Sequence, residues 1–105
     1  MTTGYKIIIS NHNLYKEFEI PIEKKEIRIG TPAGCDFRLY RELFFESIEL
    51  NLKQNENTWL LSCSENLYLT AGNSRKIFNT VLKHGDVYVL KYQESDNEVF
   101  EIEFL

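Results

Sequence analysis

Hydrophobic and polar residues alternate along most of this chain in short runs, the period-two pattern of β-strands that bury one face. The stretch Glu26–Leu39 shows the pattern most clearly, because Ile27 and Ile29 alternate with charged residues up to Gly30. A turn-forming Thr-Pro-Ala-Gly segment follows, and a second alternating run begins at Phe37. The stretch therefore predicts a strand, a short loop and another strand. Such a loop lies at one end of a sheet, where binding modules commonly place their ligand contacts.

Similar runs fill the rest of the chain between turn-forming segments. They occupy Tyr5–Ile9, Leu14–Ile22, Phe45–Leu52, Thr58–Cys63, Leu67–Leu69, Val87–Tyr92 and Val99–Leu105. Pro21 in the second run predicts an edge strand or a strand end, and Tyr40–Phe44 fits either a single helical turn or a loop. No stretch keeps a 3.6-residue period over three turns. The pattern therefore predicts an all-β fold, a β-sandwich of about ten to eleven short, mainly antiparallel strands.

The composition fits one soluble domain. The 105 residues suffice for a single compact unit, 1–105, and 43% of them are hydrophobic. A net charge of -4 and no basic run longer than Lys24-Lys25 argue against nucleic acid as a partner. No apolar run approaches the roughly 20 residues of a membrane helix, and the N-terminus lacks the apolar core of a signal peptide. We therefore expect a cytoplasmic chain with no direct membrane insertion of this region.

The two cysteines, Cys35 and Cys63, are expected to be reduced. Disulfides belong mainly to secreted proteins, and this chain shows no secretion signal, although a single disulfide remains an alternative. The cysteines form no Cys-x-x-Cys pair, and His12 and His84 lie far from both in sequence. We therefore expect no metal site.

No segment has the arrangement of a catalytic site. A nucleophile needs a base, and the base needs an orienting group, but His12 and His84 both lie in turn-forming segments without such neighbours. The Gly-rich loops that bind nucleotide phosphates are missing from the sequence. We expect no enzyme activity, no catalytic residue and no cofactor. Asp36 and Asp86 are instead expected to lock turns by accepting backbone N–H bonds.

Several of these segments together resemble a known family. An Ile-x-Ile-Gly strand end at Ile29-Gly30 precedes Cys35-Asp36-Phe37, and a Trp-Leu-Leu strand begins at Trp59. The stretch from Leu82 to Asp86 then leads into a Val-x-x-Leu strand. In order and spacing this resembles the forkhead-associated (FHA) domain, an eleven-strand β-sandwich, over nearly the whole chain.

The resemblance implies a phosphothreonine-peptide site at one end of the sandwich, formed by an Arg directly after the Gly, a Ser-x-x-His segment and an Asn in a later loop. Here Thr31 stands at the Arg position, Glu46 and Glu49 fall at the Ser and His positions, and Thr70 falls near the Asn position. Phosphate recognition relies on charge-assisted donors, whereas a Glu repels a phosphate of about -1.5 to -2 charges. We therefore expect a degenerate domain that binds or scaffolds protein and does not take a phosphopeptide.

The alternative is a working phosphopeptide reader with a rebuilt site. The donors available on predicted loops are Arg41, Ser47, Asn73, Ser74 and Arg75. Convergence of Arg41 and Arg75 on a pocket with Ser47 would favour this reader. Glu46 and Glu49 lining that surface would count against it.

Two further functions find less support in the sequence. A small β-barrel enzyme or ligand-binding domain needs an enclosed pocket with a buried titratable group, and no residue is a candidate for that group. Self-association through the last strand is opposed by its glutamates, because like charges would meet at a paired edge.

Because it lacks the phosphopeptide residues, the chain also resembles the N-terminal FHA domains of type VII secretion membrane ATPases. These ATPases are the EssC kind of the FtsK/SpoIIIE family in Gram-positive bacteria. This resemblance implies that residues 1–105 are an N-terminal module of a larger protein. The expected partner is then another part of its own chain or a component of the secretion machinery. The module would lie in the cytoplasm, and the ATPase and the membrane anchor would lie outside these residues.

Overall fold

The computed structural model describes residues 4–72 and 75–105. Within those ranges the chain forms ten strands and one 3₁₀ helix. The strands are β1 (Tyr5–Asn11), β2 (Leu14–Ile20), β3 (Glu26–Gly30), β4 (Phe37–Arg38), β5 (Glu49–Asn55), β6 (Thr58–Cys63), β7 (Leu67–Thr70), β8 (Asn79–Leu82), β9 (Val87–Tyr92) and β10 (Glu98–Phe104). The 3₁₀ helix, η1, spans Arg41–Leu43.

The strands form two five-stranded sheets packed face to face. Their orders are β2-β1-β10-β9-β7 and β4-β3-β5-β6-β8. Every pairing between these strands is antiparallel except the short parallel pair of β3 with β4. The all-β sandwich predicted from the alternating pattern is therefore confirmed.

The core lies between the two sheets and is built from the apolar positions of the alternating runs. In the second sheet the register aligns Ile29 with Leu50 and Leu50 with Cys63, so each strand points the same set of residues inward. Trp59 and Phe100 are among the largest side chains that are fully buried. Burial of such side chains is the main stabilising contribution to a fold of this size.

Two turn carboxylates hold the backbone as the sequence predicts. The Asp36 carboxylate accepts a bond of 2.8 Å from the Arg28 backbone N–H and one of 2.9 Å from the Lys24 ammonium. The backbone bond and then the Lys24 side chain lower the pKa of Asp36. The Asp86 carboxylate accepts the Lys83 backbone N–H at 2.9 Å. Asp36 thus holds the start of β4 against β3, and Asp86 closes the turn between β8 and β9.

Some strand boundaries differ from the alternating pattern. The run Phe45–Leu52 becomes a strand only from Glu49, because the backbone N–H groups of Phe45 and Ile48 donate to the side chains of Tyr92 and Thr31. The strand β8, Asn79–Leu82, was not predicted, since its residues show little apolar alternation. The second run ends at Ile20, directly before Pro21, and leaves Ile22 exposed. The segment Arg41–Leu43 takes the helical-turn form of its two predicted alternatives.

The last strand is an interior strand, whereas the sequence suggested that it could be an edge strand. β10 lies in the middle of its sheet between β1 and β9, so it offers no edge for pairing. The glutamates on its solvent face therefore do not act as edge protection. Since β2 and β7 form the edges of that sheet, the predicted barrier to self-association through the last strand does not apply.

The register brings four connections to one end of the sandwich, which we call the loop end. Gly30 at the end of β3 lies opposite Glu49 at the start of β5, and Leu67 at the start of β7 lies opposite Tyr92 at the end of β9. The connections concerned are 31–36, 39–48, 64–66 and 93–97. This end is where the sequence places its candidate binding residues.

Candidate functional site

Thr31 joins two connections of the loop end and is itself buried, with 5% of its surface exposed. Its backbone N–H donates to the Ile48 carbonyl at 2.9 Å, and its hydroxyl oxygen accepts the Ile48 N–H at 3.0 Å. The same hydroxyl shares a 2.9 Å hydrogen bond with the Ser47 hydroxyl. The position directly after Gly30 therefore closes the gap between β3 and β5 and presents no side chain to a ligand.

Glu46 is held by Asn66, a residue that the sequence analysis did not single out. The Asn66 amide donates to the Glu46 carboxylate at 3.0 Å and to the Ser47 carbonyl at 2.9 Å. The Asn66 oxygen accepts the Ser64 hydroxyl at 2.8 Å. Asn66 lies in the turn between β6 and β7, and a polar Ser-Glu-Asn turn after an apolar strand is the signal that could have identified it.

Thr70 differs from its predicted place in a loop. It is the last residue of strand β7, is 6% exposed, and its hydroxyl has no hydrogen-bond partner among the described residues. It lines a shallow groove on the outer face of the first sheet with Tyr68, Lys76 and Lys91. Asn66, and not Thr70, is therefore the residue that a later connection brings next to Glu46 and Ser47.

Glu49 faces a different surface from Glu46. Its carboxylate accepts the Arg28 guanidinium at 2.7 Å, and this pairing raises the pKa of Arg28. Glu49 lines a groove of about 440 Å³ along the outer face of the second sheet with Asn51 and Lys53. The two glutamates therefore do not form one acidic pocket, and Glu49 is largely matched by Arg28.

Two of the donors proposed for a rebuilt site, Arg41 and Ser47, are bonded to different groups. The Arg41 guanidinium turns back on its own loop and donates to the Phe44 carbonyl at 2.7 Å and to the Phe45 carbonyl at 3.2 Å. The Ser47 hydroxyl bonds to Thr31. Arg75 is exposed on the connection that leads from β7 towards β8. The other two proposed donors, Asn73 and Ser74, lie outside the described residues.

The segment Tyr40–Phe45, which we call the aromatic loop, exposes large apolar side chains that the sequence analysis did not predict to be at the surface. Tyr40 is 70% exposed, Leu43 47% and Phe45 83%. Phe44, between them, is buried and packs edge-on against Phe100 with ring centroids 6.0 Å apart. The loop is thus anchored in the core while it holds three apolar side chains in solvent.

The described ranges contain no group of three or more His, Cys, Asp or Glu residues that would hold a metal ion. Cys35 and Cys63 are both free thiols. Burial raises the pKa of the Cys63 thiol to about 11, so the nucleophilic thiolate is scarce at neutral pH. No described helix is both long and apolar enough to cross a membrane.

Comparison with solved structures decides the fold. The chain superposes on the crystal structure of Mycobacterium tuberculosis Rv1747 FHA-1 with a TM-score of 0.56 and 13% identity, over 97% of this chain and 96% of that one. It superposes on an engineered FHA with a Myc-pTBD peptide with a TM-score of 0.61 and 15% identity, over 97% of this chain and 90% of that one. The chain has an FHA fold. No protein-family model and no curated protein sequence matches it.

In this FHA fold the loop end carries residues that satisfy one another. Thr31 bonds to Ile48 and Ser47, and Asn66 bonds to Glu46. The polar side chains at the predicted binding positions therefore mainly hold the connections together. The exposed chemistry of the loop end lies elsewhere, on the aromatic loop and the grooves that flank it.

Proposed function

We propose that this FHA-fold chain is a non-catalytic protein-interaction module that binds its partner without recognising phosphate. The observation that carries the proposal is the buried Thr31, whose hydroxyl and backbone are bonded to Ser47 and Ile48. The phosphothreonine site that the resemblance implies has an arginine at this position. A phosphate site built without that arginine lacks its strongest charge-assisted donor.

The charges at the loop end support the same proposal. Glu46 and Glu49 occupy the positions that the resemblance assigns to Ser and His. A phosphate carrying about -1.5 to -2 charges is repelled by a carboxylate at close range, and the Glu46 carboxylate is bonded to a neutral amide, that of Asn66. Arg28, near this end, is already paired with Glu49 at 2.7 Å. The predicted binding positions therefore disfavour an anionic partner.

A second candidate function is favoured by one groove at this end. Arg38 and Arg41 line a groove of about 430 Å³ together with Tyr40 and Glu42. Two guanidinium groups beside an aromatic ring suit a phosphopeptide, because arginine binds phosphate in a bidentate manner. Glu42 in the same groove and the carbonyl partners of Arg41 weaken this candidate.

For the larger setting we propose an N-terminal module of a type VII secretion membrane ATPase, on the cytoplasmic side. What supports this is the FHA fold combined with the loss of the phosphopeptide residues at Thr31, Glu46 and Glu49. The partner would be another part of the same polypeptide or a component of the secretion machinery. Residues 1–105 would serve as a scaffold and take no part in ATP hydrolysis.

The test is a titration by fluorescence polarisation with two degenerate peptide libraries that differ only in the phosphate on a central threonine. We expect the affinity to be equal for the two libraries or higher for the unphosphorylated one. Binding that is at least about tenfold tighter with phosphate, a difference of about 1.4 kcal/mol, would overturn the proposal. In that case Arg38→Ala and Arg41→Ala would abolish the phosphate dependence, whereas Lys16→Ala, on β2, would not.

A further inference from the structure

A small groove at the loop end combines aromatic rings with carboxylates. It has a volume of about 220 Å³ and is lined by Phe45, Glu46, Tyr92, Glu94, Ser95 and Asn97. The Phe45 and Tyr92 rings meet edge to face, with centroids 6.1 Å apart and planes at 64°. Drug-sized ligand sites usually exceed about 300 Å³. This groove therefore fits one side chain of a partner better than a complete small molecule.

The backbone of Phe45 is held in place although its side chain is exposed. Phe45 has 83% of its surface in solvent, yet its backbone N–H donates to the Tyr92 hydroxyl at 3.0 Å. The Phe45 carbonyl is also held, because it accepts a hydrogen bond from the Arg41 guanidinium at 3.2 Å. A residue whose backbone is already fixed loses less conformational freedom on binding, which favours its use as an interface anchor.

The charged groups of the groove are both acidic. Asn66 orients the Glu46 carboxylate with a 3.0 Å hydrogen bond, and Glu94 is exposed in the turn between β9 and β10. The residues that line this groove include no lysine or arginine. Arg38 and Arg41 line a separate groove, and the Arg41 guanidinium is bonded to the Phe44 and Phe45 carbonyls.

We propose that this groove binds a lysine or arginine side chain of a partner protein. The inference rests on the proposed function and names the chemistry of its partner. The aliphatic stem would pack on the exposed Phe45 ring, since Tyr92 is itself buried, with the cation next to Glu46 and Glu94. Cation–π contact and charge pairing then act together. A phosphothreonine in the same groove would meet two carboxylates and no cation.

Charge complementarity selects this occupant over the others. A purely apolar side chain would cover the Phe45 ring but leave the negative charges of Glu46 and Glu94 unneutralised, and an acidic side chain would be repelled. A basic residue matches both the exposed Phe45 ring and the two carboxylates. The partner is therefore a basic segment.

The experiment uses the 105-residue chain and degenerate peptides with a fixed central residue. The central residue is lysine, arginine, leucine, glutamate or phosphothreonine, and binding is followed by fluorescence polarisation. We expect the lysine and arginine peptides to bind at least about tenfold more tightly than the glutamate peptides. Phe45→Ala and Glu94→Gln should each reduce that affinity by about fivefold or more.

Two control variants and one charge-reversal variant distinguish a loss of binding from a loss of structure. Phe78→Ala removes another exposed phenylalanine, and Glu23→Gln neutralises an exposed glutamate between β2 and β3, so neither should change the affinity. Glu94→Lys should shift the preference from lysine peptides towards glutamate peptides. Far-UV circular dichroism of each variant should match that of the unmodified chain.

The outcomes distinguish failure of the basic partner from failure of the proposed function. Equal binding of lysine, leucine and glutamate peptides would overturn the basic partner but leave phosphate-independent protein binding in place. Preference for the phosphothreonine peptides would overturn both. A preference for basic peptides that survives Phe45→Ala and Glu94→Lys would place the cation site elsewhere and overturn the assignment to this groove.

Discussion

Gly30, the last residue of β3, lies in close contact with the backbone at the start of β5. A Cβ added at this position would collide with the Ile48 carbonyl oxygen and lie 2.9 Å from the Glu49 Cα. Both neighbours are backbone atoms, so a side chain there would push one strand away from the other. The glycine is therefore required by close approach of the backbones and not by its conformational freedom.

The first prediction concerns this contact. Gly30→Ala should lower the free energy of unfolding by about 2–3 kcal/mol, the usual cost of overpacking against a rigid neighbour. Gly34→Ala is the matched control, since the nearest atom to its Cβ, at 3.4 Å, belongs to the Arg28 side chain, which can move. Urea unfolding followed by Trp59 fluorescence measures both. Equal stability of the two variants would contradict the close-contact explanation.

The residues that fill the predicted binding positions show what sequence can and cannot reveal at this scale. That Thr31, Glu46 and Glu49 replace donors follows from the resemblance alone. That Thr31 is buried, and that Asn66 bonds to Glu46, depends on which connections meet in space. Asn66 was missed because linear spacing pointed to Thr70, a residue whose apolar neighbours place it in a strand.

At the scale of elements, alternation predicted most strands because one face of each is buried. It failed where backbone groups bond to distant side chains. The residues Phe45 to Ile48 alternate like a strand, but Tyr92 accepts the Phe45 N–H and Thr31 accepts the Ile48 N–H. Such partners lie 47 and 17 residues away, and no local pattern encodes them. The aromatic loop was unpredictable for the same reason.

The second prediction concerns the link between the connections after β3 and β4. Thr31→Val keeps the shape of the side chain but removes the oxygen that accepts the Ile48 N–H at 3.0 Å. We expect a loss of about 1–3 kcal/mol in the free energy of unfolding, because a buried donor is left without a partner. The free energy that protects the Ile48 amide from hydrogen exchange should fall by a comparable amount.

Ser47→Ala is the control for that variant. It removes the hydroxyl that contacts Thr31 at 2.9 Å, but the Thr31 oxygen keeps the Ile48 N–H. The exposed Ser47 should therefore contribute less than about 1 kcal/mol. If Ser47→Ala cost as much as Thr31→Val, the contact between the two hydroxyls, and not the bond to Ile48, would hold the two connections together.

At the scale of the whole molecule, the two sheets share one core, so unfolding one sheet exposes the other. The edges of those sheets are unequal. β2 carries charged residues along its length, including Lys16, Glu17 and Glu19, whereas β8 carries none. Charged edges resist pairing with another chain. With β10 in the interior, this protection lies on β2 and not on the last strand.

The last prediction concerns the stability of the whole molecule at alkaline pH. Burial raises the pKa of the Cys63 thiol to about 11, whereas an unfolded cysteine ionises near pH 8.5. Between these values the folded state retains a proton that the unfolded state loses. Stability is therefore fully present below about pH 8.5 and falls as the pH rises towards 11. Because the side chain is only partly buried, we expect a total loss of about 1–2 kcal/mol.

The variant Cys63→Ala isolates this contribution from the other groups that titrate in the same range. The difference in unfolding free energy between the unmodified chain and the variant should be constant from pH 6 to 8 and should shrink by about 1–2 kcal/mol by pH 10.5. Urea unfolding at each pH gives the two values. Cys35→Ala, in the loop after β3, should show a smaller change because burial raises the pKa of its less enclosed thiol less. A constant difference across the whole range would mean that Cys63 ionises in the folded state as it does in the unfolded chain, and that its side chain is open to solvent.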